Sequence, residues 1–165
     1  MKPKVYVAMS GDIIHHGQIN IIKTAQKYGD VIVGLHTDEV IASYWRIPVL
    51  SYEERYAVIS NIKGVFEVIP QNELDQTENL RKLKPDFVVH GDDWKEGYER
   101  KLRDKVIDVL KEWDGKLIEV GRTKGVNLDR LTDLVKHLGV TTDIRRASLR
   151  KLLGYKKTSS HYGGS

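Results

Sequence analysis

The chain has 165 residues, of which 40% are hydrophobic and 30% are charged, and its formal net charge is +4. This length suffices for one domain with a substantial core, and the modest positive charge suits an anionic partner such as a nucleotide. Cysteine is absent, which excludes disulfides, a thiolate nucleophile and a zinc site with cysteine ligands. No apolar run approaches the roughly 18 residues of a membrane-spanning helix, and residues 1–4 lead into a strand rather than a secretory signal, so we expect a cytoplasmic protein.

Short β-branched runs alternate with amphipathic segments along the first 120 residues. In chain order, strands are predicted at residues 5–8, 31–35, 65–69, 87–89 and 117–120. Helices are predicted between them at residues 19–27, 51–62, 77–83 and 97–113. This alternation is typical of an α/β fold with a Rossmann-like, doubly wound, five-stranded parallel sheet, for which we expect the strand order 3-2-1-4-5.

Residues 8–18 (Ala-Met-Ser-Gly-Asp-Ile-Ile-His-His-Gly-Gln) are the most informative segment. The first predicted strand runs into this segment, and a helix leaves it from about Gly17. A strand-to-helix turn offers backbone N–H groups and the positive end of a helix dipole to an anion. His15 and His16 lie in the turn with Ser10, so the segment predicts a phosphate site. Two adjacent histidines at a turn can equally be exposed polar residues.

Three further polar segments follow strands or begin helices. They lie around Arg55, at residues 90–94 (His-Gly-Asp-Asp-Trp) and at residues 122–125 (Arg-Thr-Lys-Gly). Because the carboxyl ends of parallel strands share one edge, we expect these segments to gather beside residues 10–16. An arginine at a helix start is unusual, since the helix dipole favours acids there, and a solvated surface arginine is the alternative for Arg55. An ordinary turn is the alternative for the two aspartates.

Four co-linear blocks resemble the cytidylyltransferase branch of the nucleotidyltransferases that carry a His-x-Gly-His signature. The blocks are residues 15–18 (His-His-Gly-Gln), 51–55 (Ser-Tyr-Glu-Glu-Arg), 91–94 (Gly-Asp-Asp-Trp) and 122–126 (Arg-Thr-Lys-Gly-Val). Their order and spacing are similar to those of glycerol-3-phosphate cytidylyltransferases over residues 4 to about 131. The resemblance implies transfer of a cytidylyl group from CTP to a small phosphate or phosphonate, release of pyrophosphate, assistance by Mg²⁺ and a homodimer.

The same resemblance implies roles for individual residues. Catalytic roles fall to His15, Gln18, Arg46 and Arg55, with Arg46 standing where the family usually has a phosphate-reaching lysine. Backbone N–H groups after Gly17 would cradle the triphosphate, and Trp94 would form an aromatic wall. The nucleotide-binding set is Met9, Ser10, Gly11, His15, Gly17, Gly91, Asp92, Asp93, Trp94, Arg122, Thr123, Gly125 and Val126. The acceptor would bind at Asp12, His16 and Asn127, and no metal ligand is assigned.

The chain departs from the family pattern at two places that concern catalysis. Gln18 replaces the second histidine of the signature, so a group that can be cationic becomes a neutral amide that still donates a hydrogen bond. Residues 127–129 (Asn-Leu-Asp) replace the usual Ser-Thr-Thr; Asn127 can still cap the following helix, whereas Asp129 places a negative charge near the expected phosphate. A nucleotide-binding module without catalysis is therefore the second hypothesis.

The last part of the chain carries another resemblance. Residues 138–153 are similar to the junction that joins some cytidylyltransferase domains to phosphoenolpyruvate mutase, which implies a phosphonate acceptor such as 2-hydroxyethylphosphonate or 2-aminoethylphosphonate. A basic amphipathic helix packed on the domain is the alternative, with a phosphoalcohol (glycerol 3-phosphate, phosphocholine or phosphoethanolamine) as acceptor. We expect a cytidylyltransferase domain at residues 1–139 and a linker with a flexible tail at residues 140–165. Nucleic-acid binding is not expected, because the sequence contains no basic patch with interleaved aromatic residues.

Overall fold

The computed structural model describes residues 1–126 and residue 130. Within this part of the chain, five parallel strands form one sheet in the order β3-β2-β1-β4-β5. The strands are β1 (Lys4–Met9), β2 (Asp30–His36), β3 (Val65–Gln71), β4 (Phe87–Gly91) and β5 (Lys116–Val120). All five predicted strands are present, each slightly longer than its β-branched run. The predicted fold class and strand order are therefore confirmed.

Helices cover both faces of this sheet. They are α1 (His16–Gln26), α2 (Asp38–Tyr44), α3 (Tyr52–Ile59), α4 (Thr77–Leu83) and α5 (Arg100–Leu110). The prediction for α4 was correct at both ends. Turns of 3₁₀ helix at Gly97–Glu99 and Lys111–Trp113 flank α5, so the predicted helical stretch over residues 97–113 is continuous.

Two helix boundaries differ from the predictions for local reasons, and one helix was not predicted. The helix α1 begins before residue 19 because His15 caps it. The helix α3 ends at Ile59 rather than residue 62, since the Asn61 side chain bonds the Ala57 carbonyl (2.8 Å) and competes with the next helical turn. The short helix α2 has no counterpart among the predicted helices.

Alternate residues of the central strands enter two separate cores. Val5 and Val7 of β1 pack on the face that carries α1 and α3, together with Ile22 and Ile59. Tyr6, between them, enters the opposite core, which is formed with residues of α4 and α5 such as Leu80. Both faces of the sheet are therefore buried, as the near-continuous apolar strands predicted.

The strand order places a crevice at the carboxyl edge of the sheet. The chain moves outward from β1 to β2 and β3, then returns to β4 on the other side of β1. The loops after β1 and β4 consequently diverge and leave a space between them where ligands of such folds bind. The predicted boundary between residues 139 and 140 and the predicted tail lie outside the described residues. Among the described helices, none combines the length and apolar character needed to cross a membrane.

Candidate active site

A cavity of about 790 Å³ opens at this edge of the sheet. The predicted site residues that line it come from the end of β1 and from three of the four motif blocks; the block around Arg55 contributes none. They are Met9, Ser10, His15, Gly17, Gln18, Gly91, Asp92, Asp93, Trp94, Arg122, Thr123, Gly125 and Val126. The structure thus brings together in one cavity segments that are separated by more than a hundred residues in the sequence.

His15 caps α1 and is held in one tautomer. Its Nδ1 accepts a hydrogen bond from the backbone N–H of Gly17 (3.1 Å), so the proton of the neutral ring lies on Nε2. Burial lowers the pKa of His15 below its usual range, and the neighbouring His16 lowers it further. The ring is consequently neutral at physiological pH and offers one Nε2–H donor to the cavity.

Gln18 completes the same cap from the third position of the helix. Its Oε1 accepts from the backbone N–H of His15 (3.2 Å), which forms a reciprocal capping box with the His15 side chain. No described residue accepts a hydrogen bond from the amide nitrogen of Gln18, and the side chain lines the cavity. Gln18 therefore keeps its fold-forming contact and still presents an N–H donor to a ligand.

The expectation that backbone N–H groups after Gly17 cradle the triphosphate is not supported. The Gly17 N–H is bound to the His15 ring, and the N–H groups of Gln18 and Ile19 are bound to the His15 carbonyl (3.1 and 3.3 Å). A Cβ atom on Gly17 would meet the His15 ring at 3.0 Å. A side chain at this position would therefore press on the His15 ring that caps the helix.

Trp94 is more deeply buried than an aromatic wall requires. It lies in a 3₁₀ turn (Asp92–Lys95), is 2% exposed, and its Nε1 donates to Glu119 Oε1 (2.9 Å). His90 stacks on its indole at 3.6 Å between centroids, and the His90 side chain is 22% exposed. The accessible ring of this pair is therefore that of His90. Arg103 holds the pKa of Glu119 down to about 2, so the carboxylate that anchors Trp94 stays ionised.

The segment after β5 lies over the N-terminal half of α1. The Asn20 side chain donates to Thr123 Oγ1 (3.2 Å), and Val126 lies beside Gly17. Arg122 is exposed at the rim, where its guanidinium can reach a ligand. The predicted nucleotide contacts of this block thus share one wall of the cavity with His15 and Gln18.

Asp12 and Arg46 bind each other instead of lining the cavity. The buried Asp12 carboxylate accepts from Arg46 Nη1 and from the backbone N–H groups of Val49 and Leu50 (2.9–3.0 Å). These contacts tie the loop that precedes α3 to the turn after β1. The acceptor-binding role predicted for Asp12 and the phosphate contact predicted for Arg46 have no counterpart in this geometry.

Arg55 is neither a phosphate clamp nor a solvated surface residue. It is 0% exposed, and its guanidinium donates to the carbonyls of Ser10 and His36 (2.6 Å each) and of Leu50 (3.1 Å). It also binds the Asp38 carboxylate at 2.6 Å. The side chain joins the carboxyl ends of β1 and β2 to the starts of α2 and α3, so the structure does not bring this predicted catalytic residue into the cavity.

Two other predicted residues also lie away from the cavity wall. Gly11 is buried beneath it, against Leu35 and Ile59, and His16 is exposed on the first turn of α1. Asn127 lies outside the described residues.

Several lining residues were not predicted as site residues. Among them are His36, Trp45, Leu74, Gln76, His90 and Glu99. His36 and His90 had a usable signal, because each is a polar residue at the carboxyl end of an apolar strand. Leu74 and Gln76 had none, since they lie in a loop whose path the sequence does not reveal.

A protein-only metal centre is not formed by the described residues, which contain no group of three histidine, cysteine, aspartate or glutamate side chains close enough to share an ion. Magnesium in nucleotide sites commonly needs only one or two carboxylates in addition to the ligand's phosphates. Asp92 lines the cavity, and no described cation pairs with its carboxylate. Its donor chemistry therefore fits a cation carried with a nucleotide.

The family assignment follows from a family model, described as cytidylyltransferase-like, that matches residues 10–147. The chain belongs to the cytidylyltransferase-like family. It is 32% identical to the glycerol-3-phosphate cytidylyltransferase of Bacillus spizizenii over 130 residues, which cover 78% of this chain and 93% of that protein. The cytidylyltransferase resemblance predicted from the four motif blocks is thereby confirmed.

Two further comparisons support this assignment. The chain is 36% identical to the mouse ethanolamine-phosphate cytidylyltransferase over 154 residues, which cover 92% of this chain but only 36% of that protein. Among solved structures, a lipopolysaccharide core biosynthesis protein from Thermoplasma volcanium matches with a TM-score of 0.63 at 27% identity, over 74% of this chain and 98% of that one. The chain thus spans about a third of the mouse relative and nearly all of the bacterial one.

Proposed function

We propose that the protein transfers CMP from CTP to a small phosphorylated alcohol and releases pyrophosphate. The observation that supports the proposal is that His15, Gln18 and Arg122 line one cavity beyond the carboxyl ends of β1, β4 and β5. The family supplies the chemistry, since relatives at 32% and 36% identity are named as cytidylyltransferases for phosphorylated alcohols. Among the two hypotheses from sequence, an active transferase is favoured because both predicted donors reach the cavity.

The reaction is an in-line displacement at the α-phosphorus of CTP. A phosphate oxygen of the acceptor forms a new bond to this phosphorus while the bond to the β-phosphate oxygen breaks, and the electron pair leaves with pyrophosphate. Such a step needs positioning and neutralisation of developing charge rather than a covalent intermediate. Neutral His15 donates from Nε2 to a leaving-phosphate oxygen, Gln18 donates from its amide, and exposed Arg122 adds positive charge. Magnesium held by the phosphates and Asp92 would neutralise further charge.

A phosphonate acceptor is the second candidate. It is favoured by residues 138–153, which are similar to the junction with a phosphoenolpyruvate mutase domain. These residues lie outside the part of the chain that the structure describes. The two acceptor classes share a dianionic phosphorus group, so one site can accommodate either. Fusion to such a mutase, a homodimer and a cytoplasmic location are further parts of this proposal.

The test is release of pyrophosphate from CTP and magnesium with a panel of phosphoalcohols and phosphonates. We expect activity with at least one acceptor, and a fall of about 10²–10³ in kcat for His15→Ala, because a donor to developing charge acts mainly in the transition state. The exposed neighbour His16→Ala is the matched control and should retain activity. Absence of pyrophosphate with every acceptor would show that the protein is a binding module.

A further inference from the structure

A second part of the cavity, beyond the ends of β2 and β3, contains buried polar atoms that no described residue satisfies. Both ring nitrogens of His36 and the Oε1 atom of Gln76 are without hydrogen-bond partners among the described residues. The two residues are each 6% exposed, and both line the cavity. Unsatisfied buried polar atoms of this kind are rare in folded proteins and call for an explanation, of which a bound ligand is one.

Contacts within the protein position the side chains of His36 and Gln76. His36 ends β2 and lies in register with Gln71, the last residue of β3. The Gln71 side chain donates to the carbonyls of Glu73 (2.7 Å) and Asp75 (3.1 Å), which holds the loop leading to Gln76 against the sheet. The carbonyl of His36 is in turn fixed by buried Arg55. The unsatisfied atoms are therefore presented by a rigid frame.

An aromatic ring and a carboxylate complete this region. The Trp45 ring lies 5.5 Å from the His36 ring, and Trp45 shares a hydrogen bond with the side chain of Tyr98. The Tyr98 hydroxyl donates to Glu99 Oε1 (3.2 Å), and Glu99 lines the cavity. We term His36, Trp45, Gln76 and Glu99 the headgroup subsite.

The charge of Glu99 is unexpected in a cavity that handles phosphates. Among the described residues, no lysine, arginine or histidine forms an ion pair with it. Arg55, a buried cation at the same edge of the sheet, is already paired with Asp38 at 2.6 Å. A partly buried carboxylate whose described contacts include a hydroxyl but no cation favours a ligand that carries a positive charge.

The remaining atoms of the headgroup subsite identify the kind of cation. Gln76 Oε1 and one nitrogen of neutral His36 can accept hydrogen bonds, so they fit a group with N–H donors. A quaternary ammonium would leave both acceptors unsatisfied, and a hydroxyl would leave the Glu99 charge uncompensated. The indole of Trp45 adds a cation–π contact.

We infer that the headgroup subsite binds a primary ammonium group at the end of the acceptor remote from its phosphorus, and that Glu99 and Gln76 thereby determine acceptor specificity. This inference rests on the proposed function and specifies its acceptor. A phosphorylated amino alcohol and an aminoalkyl phosphonate share the required chemistry. These two kinds of acceptor differ only at the phosphorus end, which is a phosphate ester in the first and a phosphonate in the second.

The test compares acceptors that differ only in the terminal group. We expect kcat/KM for 2-aminoethyl phosphate to exceed that for 2-hydroxyethyl phosphate by at least about tenfold, with choline phosphate also poor. The pair 2-aminoethylphosphonate and 2-hydroxyethylphosphonate should show the same preference for the amine. Comparison of the two amines then identifies which phosphorus group the enzyme uses.

Substitutions in the headgroup subsite should reduce this amine-to-hydroxyl ratio. Glu99→Gln removes the charge and Gln76→Met removes the acceptor oxygen, and each should lower the ratio several-fold. Glu96→Gln, an exposed carboxylate on the same segment, is the matched control and should leave the ratio unchanged. Equal or better use of the hydroxyl acceptor by the wild type, or an unaltered ratio in Glu99→Gln, overturns the inference while the proposed function stands. Absence of pyrophosphate with all acceptors overturns both.

Discussion

Gln18 combines a structural and a catalytic contact in one side chain. Its side-chain carbonyl oxygen completes the cap of α1. Its amide nitrogen donates no hydrogen bond to any described residue, and the side chain lines the cavity. The replacement of the second signature histidine therefore preserves both the helix start and a neutral donor. What is lost is the possibility of a positive charge at this position.

Substitution of Gln18 separates these two contacts. Gln18→Ala should lower kcat by roughly tenfold or more, which corresponds to about 1.5 kcal/mol for a lost hydrogen bond to a charged group. Gln18→Glu keeps the oxygen that caps His15 but cannot donate, so thermal stability should persist while kcat falls at least as far. Gln18→His should retain activity. If only Gln18→His releases pyrophosphate, the wild-type protein is a degenerate relative rather than an enzyme.

His36 provides a pH-dependent contribution to stability. Burial, with smaller contributions from His90 and Arg55, lowers the pKa of His36 to about 3 in the folded protein. The unfolded chain binds a proton near pH 6.5, so this contribution is complete above that pH and is lost progressively as the pH falls towards 3.

His36→Leu should therefore flatten the pH dependence of unfolding. Between about pH 6.5 and about pH 5, the wild type should lose about 1.5 kcal/mol more stability than the variant, since linkage allows about 1.4 kcal/mol per proton and pH unit. Chemical denaturation at several pH values measures this difference. His16→Leu, which removes an exposed histidine, is the control. Parallel curves for the wild type and His36→Leu would contradict the buried neutral state.

At the scale of elements, Arg55 links four pieces of secondary structure at the edge that bears the site. Its contacts reach the ends of β1 and β2, the first residue of α2 and the loop before α3. Asp12 fastens the same loop through two backbone N–H groups and Arg46. Arg55 and Asp12 are both buried and neither lines the cavity, so they support the segments beneath it rather than contact a ligand.

Removal of the Arg55 guanidinium should accordingly lower the free energy of unfolding. Arg55→Met leaves three carbonyls and the Asp38 carboxylate without their donor, and the expected loss is about 3–5 kcal/mol of unfolding free energy. Denaturant titration of the variant and of Arg100→Met, an exposed arginine at the start of α5, supplies the comparison. A variant with wild-type stability but no turnover would restore the direct phosphate role that the sequence predicted.

At the scale of the whole molecule, the strand order determines where ligands bind and the loops determine which ligands. Two of the loops, residues 91–94 and residues 122–126, resemble those of the cytidylyl branch and contribute residues to the cavity lining. A cytosine offers a carbonyl oxygen and a ring nitrogen to an arginine or to backbone N–H groups, whereas adenine offers a different pattern at a larger size.

CTP should therefore bind more tightly than ATP. We expect at least about a tenfold difference in Kd, or 1.4 kcal/mol, measured by calorimetry in the presence of magnesium. Arg122→Gln, at the rim of the cavity, should reduce the difference. A tenfold preference for ATP would overturn the base assignment, although it would leave the fold and the phosphate contacts of His15 untouched.

The sequence by itself determined the sheet, its strand order and half of the residues that line the cavity. Alternating apolar strands and amphipathic helices admit few parallel topologies, and short-range signals such as the Ser51–Glu54 capping box mark helix starts locally. Because the carboxyl ends of parallel strands share one edge, residues that follow strands, such as His15 and Asp92, could be assigned to one site in advance.

Only the tertiary structure decided which polar residues face the cavity and which support it. Arg55 lies in a family-like motif, yet three of its four partners are 17–45 residues away in the chain. The partners of Asp12, a predicted acceptor-binding residue, are 34–38 residues away, and both side chains are buried. Gln76 reaches the cavity only because Gln71 folds its loop back. A motif specifies which residue types lie near one another in the chain. The direction in which each side chain points depends on packing against distant segments, and the spacing of residues along the chain carries no information about that packing.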